Sequence, residues 1–146
     1  MKFYLDANVF VYAEVSSERV GKVAGKLLEI LEEGKFIGAT SCLTVDEVVW
    51  SVIKDIDRSH GIEVGKKMLE LPNLEIFPVT ARTVSSALEK MKSYNLKPRD
   101  AIHVATMIEN NVFSAISEDP DFDKVDEIER IDLEEAIKRL GNENKE

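Results

Sequence analysis

"KFYLDANVF" (residues 2–10) sets one carboxylate inside an apolar opening. Phe3, Tyr4 and Leu5 lead in, and Val9, Phe10, Val11 and Tyr12 follow. A short run that is apolar at successive positions is what a strand buried on both faces requires. Asp6 would then close that strand, just before a helix from about Asn8 to Val15. An aspartate there is either the cap of the helix or one piece of a site.

Working outward, apolar residues at helical spacing (Val20, Val23, Ala24, Leu27, Leu28, Leu31) predict a helix over 18–33, stopped by Gly34. "FIGAT" (36–40) reads as a second strand. Thr44 is expected to open a helix to about Ser59, ended by His60 and Gly61, with a short helix over 63–70. "LEIFPV" (74–79) is a third strand whose Pro78 fits a strand end or sheet edge. A helix follows over Ala81–Tyr94, and Pro98 starts another, to about Asn110. "VFSAIS" (112–117) is a fourth strand, "ERIDL" a short fifth, and 133–140 a last helix. Short apolar strands alternating with helices imply a parallel sheet covered on both faces. The expectation is one α/β domain over residues 1–140, with four to five parallel strands and a polar tail at 141–146.

The chain's 146 residues are enough for a sizeable core. No apolar run approaches the ~20 residues that span a bilayer, and no secretory signal is legible. Cys42 is the single cysteine, which excludes an internal disulfide and a cysteine-rich metal site, and makes a reducing cytoplasm the expected setting. A net charge of -9 argues against binding polyanions by global attraction. Its distribution is uneven: residues 54–99 carry nine basic against six acidic side chains, and residues 109–146 five against thirteen. A basic middle suits a phosphate backbone; scattered helix-surface charge is the alternative.

In open α/β sheets, sites collect beyond the C-terminal strand ends. Asp6 follows the first strand and Asp119 the fourth, with Asp121 two residues on. Glu47 and Asp100 lie in the first turns of the helices expected at Thr44 and Pro98. Each has a plain structural reading: an N-cap for Asp6, a Thr44–Glu47 capping box, a dipole partner for Asp100, a turn for Asp119. Together they repel one another, by ~4 kcal/mol for a pair ~4 Å apart at an effective dielectric of 20. A hard divalent cation removes that conflict, and carboxylates with water are the ligands of Mg²⁺ and Mn²⁺.

"YLDANVFVYA" (4–13), the Glu of "TVDEVVW" (44–50), "PRDAIHVATM" (98–107) and "SEDPDFDKV" (117–125) resemble the four signature segments of PIN-domain nucleases. Their order and spacing are most similar to the VapC-like toxins of type II toxin–antitoxin pairs. The resemblance implies a Rossmann-like α/β/α sandwich and metal-dependent endonucleolytic hydrolysis of RNA, leaving 5′-phosphate and 3′-hydroxyl ends. It implies an acidic quartet of Asp6, Glu47, Asp100 and Asp119 around Mg²⁺ or Mn²⁺, with Asp121 as a frequently acidic neighbour. Asn8 and Ser117 match small polar positions that orient ligands or water. It also implies a homodimer and a cognate antitoxin. Glu118 departs from the pattern, standing where relatives often have Asn or Arg.

Other residues read more plainly. His103 is expected to be an interior helix residue, His60 a helix C-terminal cap, Cys42 a buried small side chain, and Trp50 core or a dimer contact. Asp46 points away from Glu47 on a helix. Arg99, Lys66 and Lys67 suit either phosphate contacts or solvation. Two rival functions stand beside the nuclease: a catalytically silent RNA- or protein-binding module of the same fold, and a phosphatase with Asp6 as nucleophile, whose D-x-D pattern Asn8 breaks.

Overall fold

The strand β1 (Lys2–Leu5) runs through the centre of the computed structural model, with Phe3, Tyr4 and Leu5 at 3%, 0% and 0% exposure. Phe3 and Leu5 pack into one hydrophobic cluster and Tyr4 into another, as alternation along a strand between two covered faces requires. The structure describes residues 1–143, with side chains through 141.

After β1 come α1 (Ala7–Val15), α2 (Arg19–Glu32), β2 (Ile37–Ser41), α3 (Cys42–Asp55), α4 (Arg58–Glu70) and β3 (Leu74–Phe77). The second half holds α5 (Ala81–Tyr94), α6 (Pro98–Glu109), β4 (Ser114–Ile116), a 3₁₀ turn (Pro120–Lys124), β5 (Glu129–Ile131) and α7 (Leu133–Glu143). All five strands are parallel, in the order β3-β2-β1-β4-β5. Side chains of α1–α4 and α7 build the core on one face, and those of α5, α6 and the 3₁₀ turn build it on the other. That is the expected α/β/α sandwich, and β3 with Pro78 after it is an edge strand. No helix among the described residues is long and apolar enough to cross a membrane.

Strand order reverses beside β1, which pairs with β2 on one side and β4 on the other. The chain therefore leaves β1 and β4 next to each other: Leu5 is registered with Ile116, and the Asp6 amide donates to the Ile116 carbonyl at 3.1 Å. This is the topological switch point where open α/β sheets place their ligands.

Several boundaries differ from expectation. Ser41, not Thr44, caps α3, its Oγ accepting from the Thr44 amide at 3.3 Å. The helix stops at Asp55, and Asp57 caps α4 by accepting from the His60 amide at 2.8 Å. His60 thus sits in the first turn of α4 rather than ending a helix, with its ring Nδ1 also 2.8 Å from Asp57. A chain of β-branched residues across 48–56 conceals this break, because the apolar period continues through it. Helix α7 continues past 140 to Glu143, so residues 141–143 of the expected tail are helical, and 144–146 lie outside the described residues. Cys42 is exposed, not buried, since it opens α3 on the outer side of its Ser41 cap.

Candidate metal centre and active site

Strand ends and helix starts place the acids. Asp6 directly follows β1 and is the N-cap of α1, its Oδ1 accepting from the Ala7 amide at 2.8 Å. The capping reading of Asp6 is therefore correct, yet it accounts for one oxygen only. Oδ2 accepts from Ser117 Oγ at 2.6 Å and from Asn8 Nδ2 at 3.2 Å. Ser117 follows β4; its Oγ also accepts from the Asp119 amide at 3.0 Å and meets Asn8 Nδ2 at 3.2 Å. Asn8 and Ser117 thus hold Asp6 and the start of the acidic loop in one network.

Asp100 occupies the first turn of α6, two residues after Pro98. Asp119 caps the 3₁₀ turn, accepting from the Asp121 amide at 2.9 Å. One carboxylate oxygen from each of Asp100, Asp119 and Asp121 lies within 4.8 Å of the others. Asp6, Asn8, Asp46, Glu47, Asp100 and Asp119 line one cleft of about 360 Å³. Asp6 and Glu47 share that wall without joining the group of three. Asp121, expected as a neighbour, belongs to the tightest acidic group.

Glu47 does not close a capping box. Its Oε1 lies 2.6 Å from His103 Nε2, and His103 Nδ1 lies 2.6 Å from the Tyr4 hydroxyl. Burial opposes charge on His103, but Tyr4, Glu47 and Asp6 outweigh it and push its pKa up to about 10. An Nε2–H donated to Glu47 ties that carboxylate to the core behind the acids. His103 does lie inside its helix packing, at 1% exposure, as expected. Its two polar contacts were not foreseen; its position one turn after Asp100, and Tyr4 two residues before Asp6, were the available signs.

The remaining acids feel one another. Burial, chiefly, and then Glu47 raise the Asp6 carboxyl above its ordinary 3.8, while His103, Ser117 and the Ala7 amide pull it down. Asp100 is also raised, first by burial and then by Asp119, Asp6 and Asp121, with His103 opposing. Carboxylates that raise one another's pKa are a donor set short of cation, and an all-oxygen group of three fits a hard divalent ion.

Around the rim, Trp50 is 56% exposed and lines the cleft with Ser51, Lys54 and Arg99. Of the two expectations for Trp50, core does not hold and a dimer contact is left: it lies on the solvent side of α3, with Lys54 Nζ 5.5 Å from its ring centroid. Asp46 also reaches the cleft, contrary to its expected direction. Lys97 and Arg99 border the adjoining hollow at Asp100, whereas Lys67 lines a separate groove with Phe10 and Met68. The basic middle therefore contributes Lys54, Lys97 and Arg99 to this edge. Glu118 turns elsewhere: its Oε1 accepts from the Leu133 amide at 2.8 Å, so its charge faces the N-terminus of α7. Arg130 fastens the same loop, donating to the Ser117 carbonyl at 3.0 Å and gripping Asp123 through two nitrogens.

The sequence profile of the PIN domain matches residues 3–128. The chain is 26% identical to Ribonuclease VapC2 of Methanocaldococcus jannaschii, over 90% of this chain and 94% of that protein. Among solved structures it resembles Mycobacterium tuberculosis VapC20, a sarcin-ricin loop cleaving toxin. That match has TM-score 0.70 and 14% identity, over 83% of this chain and 92% of the other. It also resembles VapBC2 from Rickettsia felis bound to a DNA fragment from their promoter, with TM-score 0.66 and 18% identity over 90% and 98%. The two structural likenesses speak to the fold; the profile, which spans both strands of the switch point and Asp6, Glu47, Asp100, Asp119 and Asp121, speaks to descent. This chain belongs to the PIN-domain family.

Proposed function

We propose that the protein is a metal-dependent endoribonuclease, the toxin of a type II toxin–antitoxin pair acting in the cytoplasm. The observation that carries this reading is the meeting of Asp100, Asp119 and Asp121 oxygens within 4.8 Å, where the cleft lined by Asp6, Glu47, Asp100 and Asp119 joins the hollow that Asp121 borders. The similarity to a VapC ribonuclease and to VapBC assemblies supports the choice of RNA and of an antitoxin partner. A homodimer is part of the same reading.

Water attacks phosphorus in line with the departing 3′ oxygen; the P–O3′ bond breaks, leaving a 5′-phosphate and a 3′-hydroxyl. Bound Mg²⁺ or Mn²⁺ supplies the Lewis acidity that lowers the pKa of water and offsets phosphoryl charge. The residues of this chain have three tasks. Asp6, Glu47, Asp100 and Asp119, with Asp121, provide the anionic oxygens. Asn8 and Ser117 fix the Asp6 carboxylate through its Oδ2. Lys54 and Arg99 meet the phosphate backbone at the rim, offsetting locally a chain whose net charge is -9.

Purified wild type incubated with single-stranded RNA and Mn²⁺ should yield internal cuts, and Asp6→Asn or Asp100→Asn should yield none while keeping the circular-dichroism spectrum. Cleavage at the wild-type rate by Asp100→Asn would sink the assignment.

A further inference from the structure

The geometry points to His103, backed by Tyr4, as the positioning residue that holds Glu47 in the acidic cleft. This rests on the nuclease reading for its purpose, but its geometry stands apart. His103 meets residues of the segments that carry or adjoin the acids of the site. It belongs to α6, one turn beyond Asp100. Its Nδ1 meets Tyr4 of β1, two residues before Asp6, at 2.6 Å. Its Nε2 meets Glu47 of α3 at 2.6 Å. Its ring packs edge-on against Phe122 of the 3₁₀ turn that follows Asp119, with centroids 6.5 Å apart. Four segments, distant in sequence, are keyed to one imidazole.

The side chain is 1% exposed and Glu47 is 21% exposed, so the bond runs from the core outward to the cleft wall. A glutamate has three rotatable bonds and loses its orientation readily when nothing holds it. Here Nε2–H donates to Oε1, and Oε2 accepts no hydrogen bond among the described residues, which leaves it for the cleft. Tyr4, fully buried, fixes the ring from behind, so the imidazole cannot swing to follow Glu47. An outer partner of this kind changes metal affinity by about 10–100-fold when it is removed from known metal sites.

Mn²⁺ titration calorimetry of the full chain tests this, with ¹H–¹⁵N spectra of the imidazole as the second readout. His103→Leu should weaken Mn²⁺ about tenfold or more, and His103→Gln, which keeps an N–H donor, should recover most of the loss. In a Glu47→Ala background His103→Leu should cost nothing further. Tyr4→Phe, which removes one hydroxyl and keeps the ring, guards against misfolding: it should move the His103 Nε2–H resonance and weaken Mn²⁺ several-fold. Wild-type affinity in folded His103→Leu, or in Tyr4→Phe with an unmoved resonance, overturns the proposal, as do losses from Glu47→Ala and His103→Leu that multiply. Should the wild type bind Mn²⁺ but cut no RNA, the nuclease reading alone fails, and the same affinity ratios still decide the role of His103.

Discussion

Ser117 Oγ donates to Asp6 Oδ2 at 2.6 Å across 111 residues of sequence, because β4 lies directly beside β1. Asp6 is 8% exposed, so this bond is made where water competes little. Ser117→Ala removes it and strips the Asp119 amide of its acceptor as well. The expected loss is ~1–3 kcal/mol of stability, since a buried charged acceptor loses a donor. Urea denaturation measures it, and Mn²⁺ affinity should fall alongside; a midpoint equal to wild type would refute the network.

The raised carboxyls of Asp6 and Asp100 give a pH dependence with a definite sign. A group whose folded pKa exceeds its unfolded value stabilises the fold below the unfolded value, and that stabilisation is lost as pH rises through the folded one. The metal-free protein is thus burdened by these charges at neutral pH, and a divalent ion relieves the burden. Adding Mn²⁺ should raise Tm at pH 7, and the rise should shrink as pH falls toward the ordinary carboxylate value of 3.8. Asp100→Asn should raise the metal-free Tm and lose most of the Mn²⁺ response. Thermal scans with and without Mn²⁺ at several pH values decide it.

Trp50 is the only tryptophan, so its fluorescence reports the cleft rim alone. Single-stranded RNA added to the Asp100→Asn variant should quench it through base stacking. Trp50→Ala should weaken RNA binding about ten- to hundredfold, given ~1–3 kcal/mol per stacked base. Quenching absent under conditions where a gel shift shows binding would remove Trp50 from the RNA path.

Packing of α4 on α3 fixes the helix that carries Glu47. A Cβ on Gly61 would stand 2.9 Å from the Val49 carbonyl oxygen and 2.5 Å from Ile53 Cγ1. Gly61→Ala should therefore cost ~1–3 kcal/mol by overpacking. Chemical denaturation measures the loss; no change in midpoint would mean the helices separate freely.

The layers of this fold were legible because their signals are local. Four apolar strands and the helices around them carry their period in consecutive residues. Ala81–Tyr94 and the Pro98 start agree with the structure residue for residue. The α3–α4 break was placed at His60 and Gly61, a few residues late, because Ile56 continues the apolar period beyond the end of α3 at Asp55, and Asp57 starts the new helix directly after it. The acids could be found by their places at strand ends and helix starts, but which of them meet depends on contacts remote in sequence. Thr44-x-x-Glu47 has capping-box spacing, yet Ser41 takes the cap and His103, 56 residues on, takes the glutamate. A histidine on an apolar helix face gives no local sign of a partner on another helix. Trp50 divided the reading between core and a dimer contact because its size suggests burial, and only the fold shows that its face of α3 is on the solvent side.

The pairing of β1 with β4 has a consequence for the order in which this protein comes into being. Asp6 is made first among the acids of the site, 111 residues before its Ser117 donor. Until β4 slides in beside β1, Asp6 has lost its neighbour and the cleft lacks its far wall. The acidic edge is complete only once β4 has been made and has paired with β1.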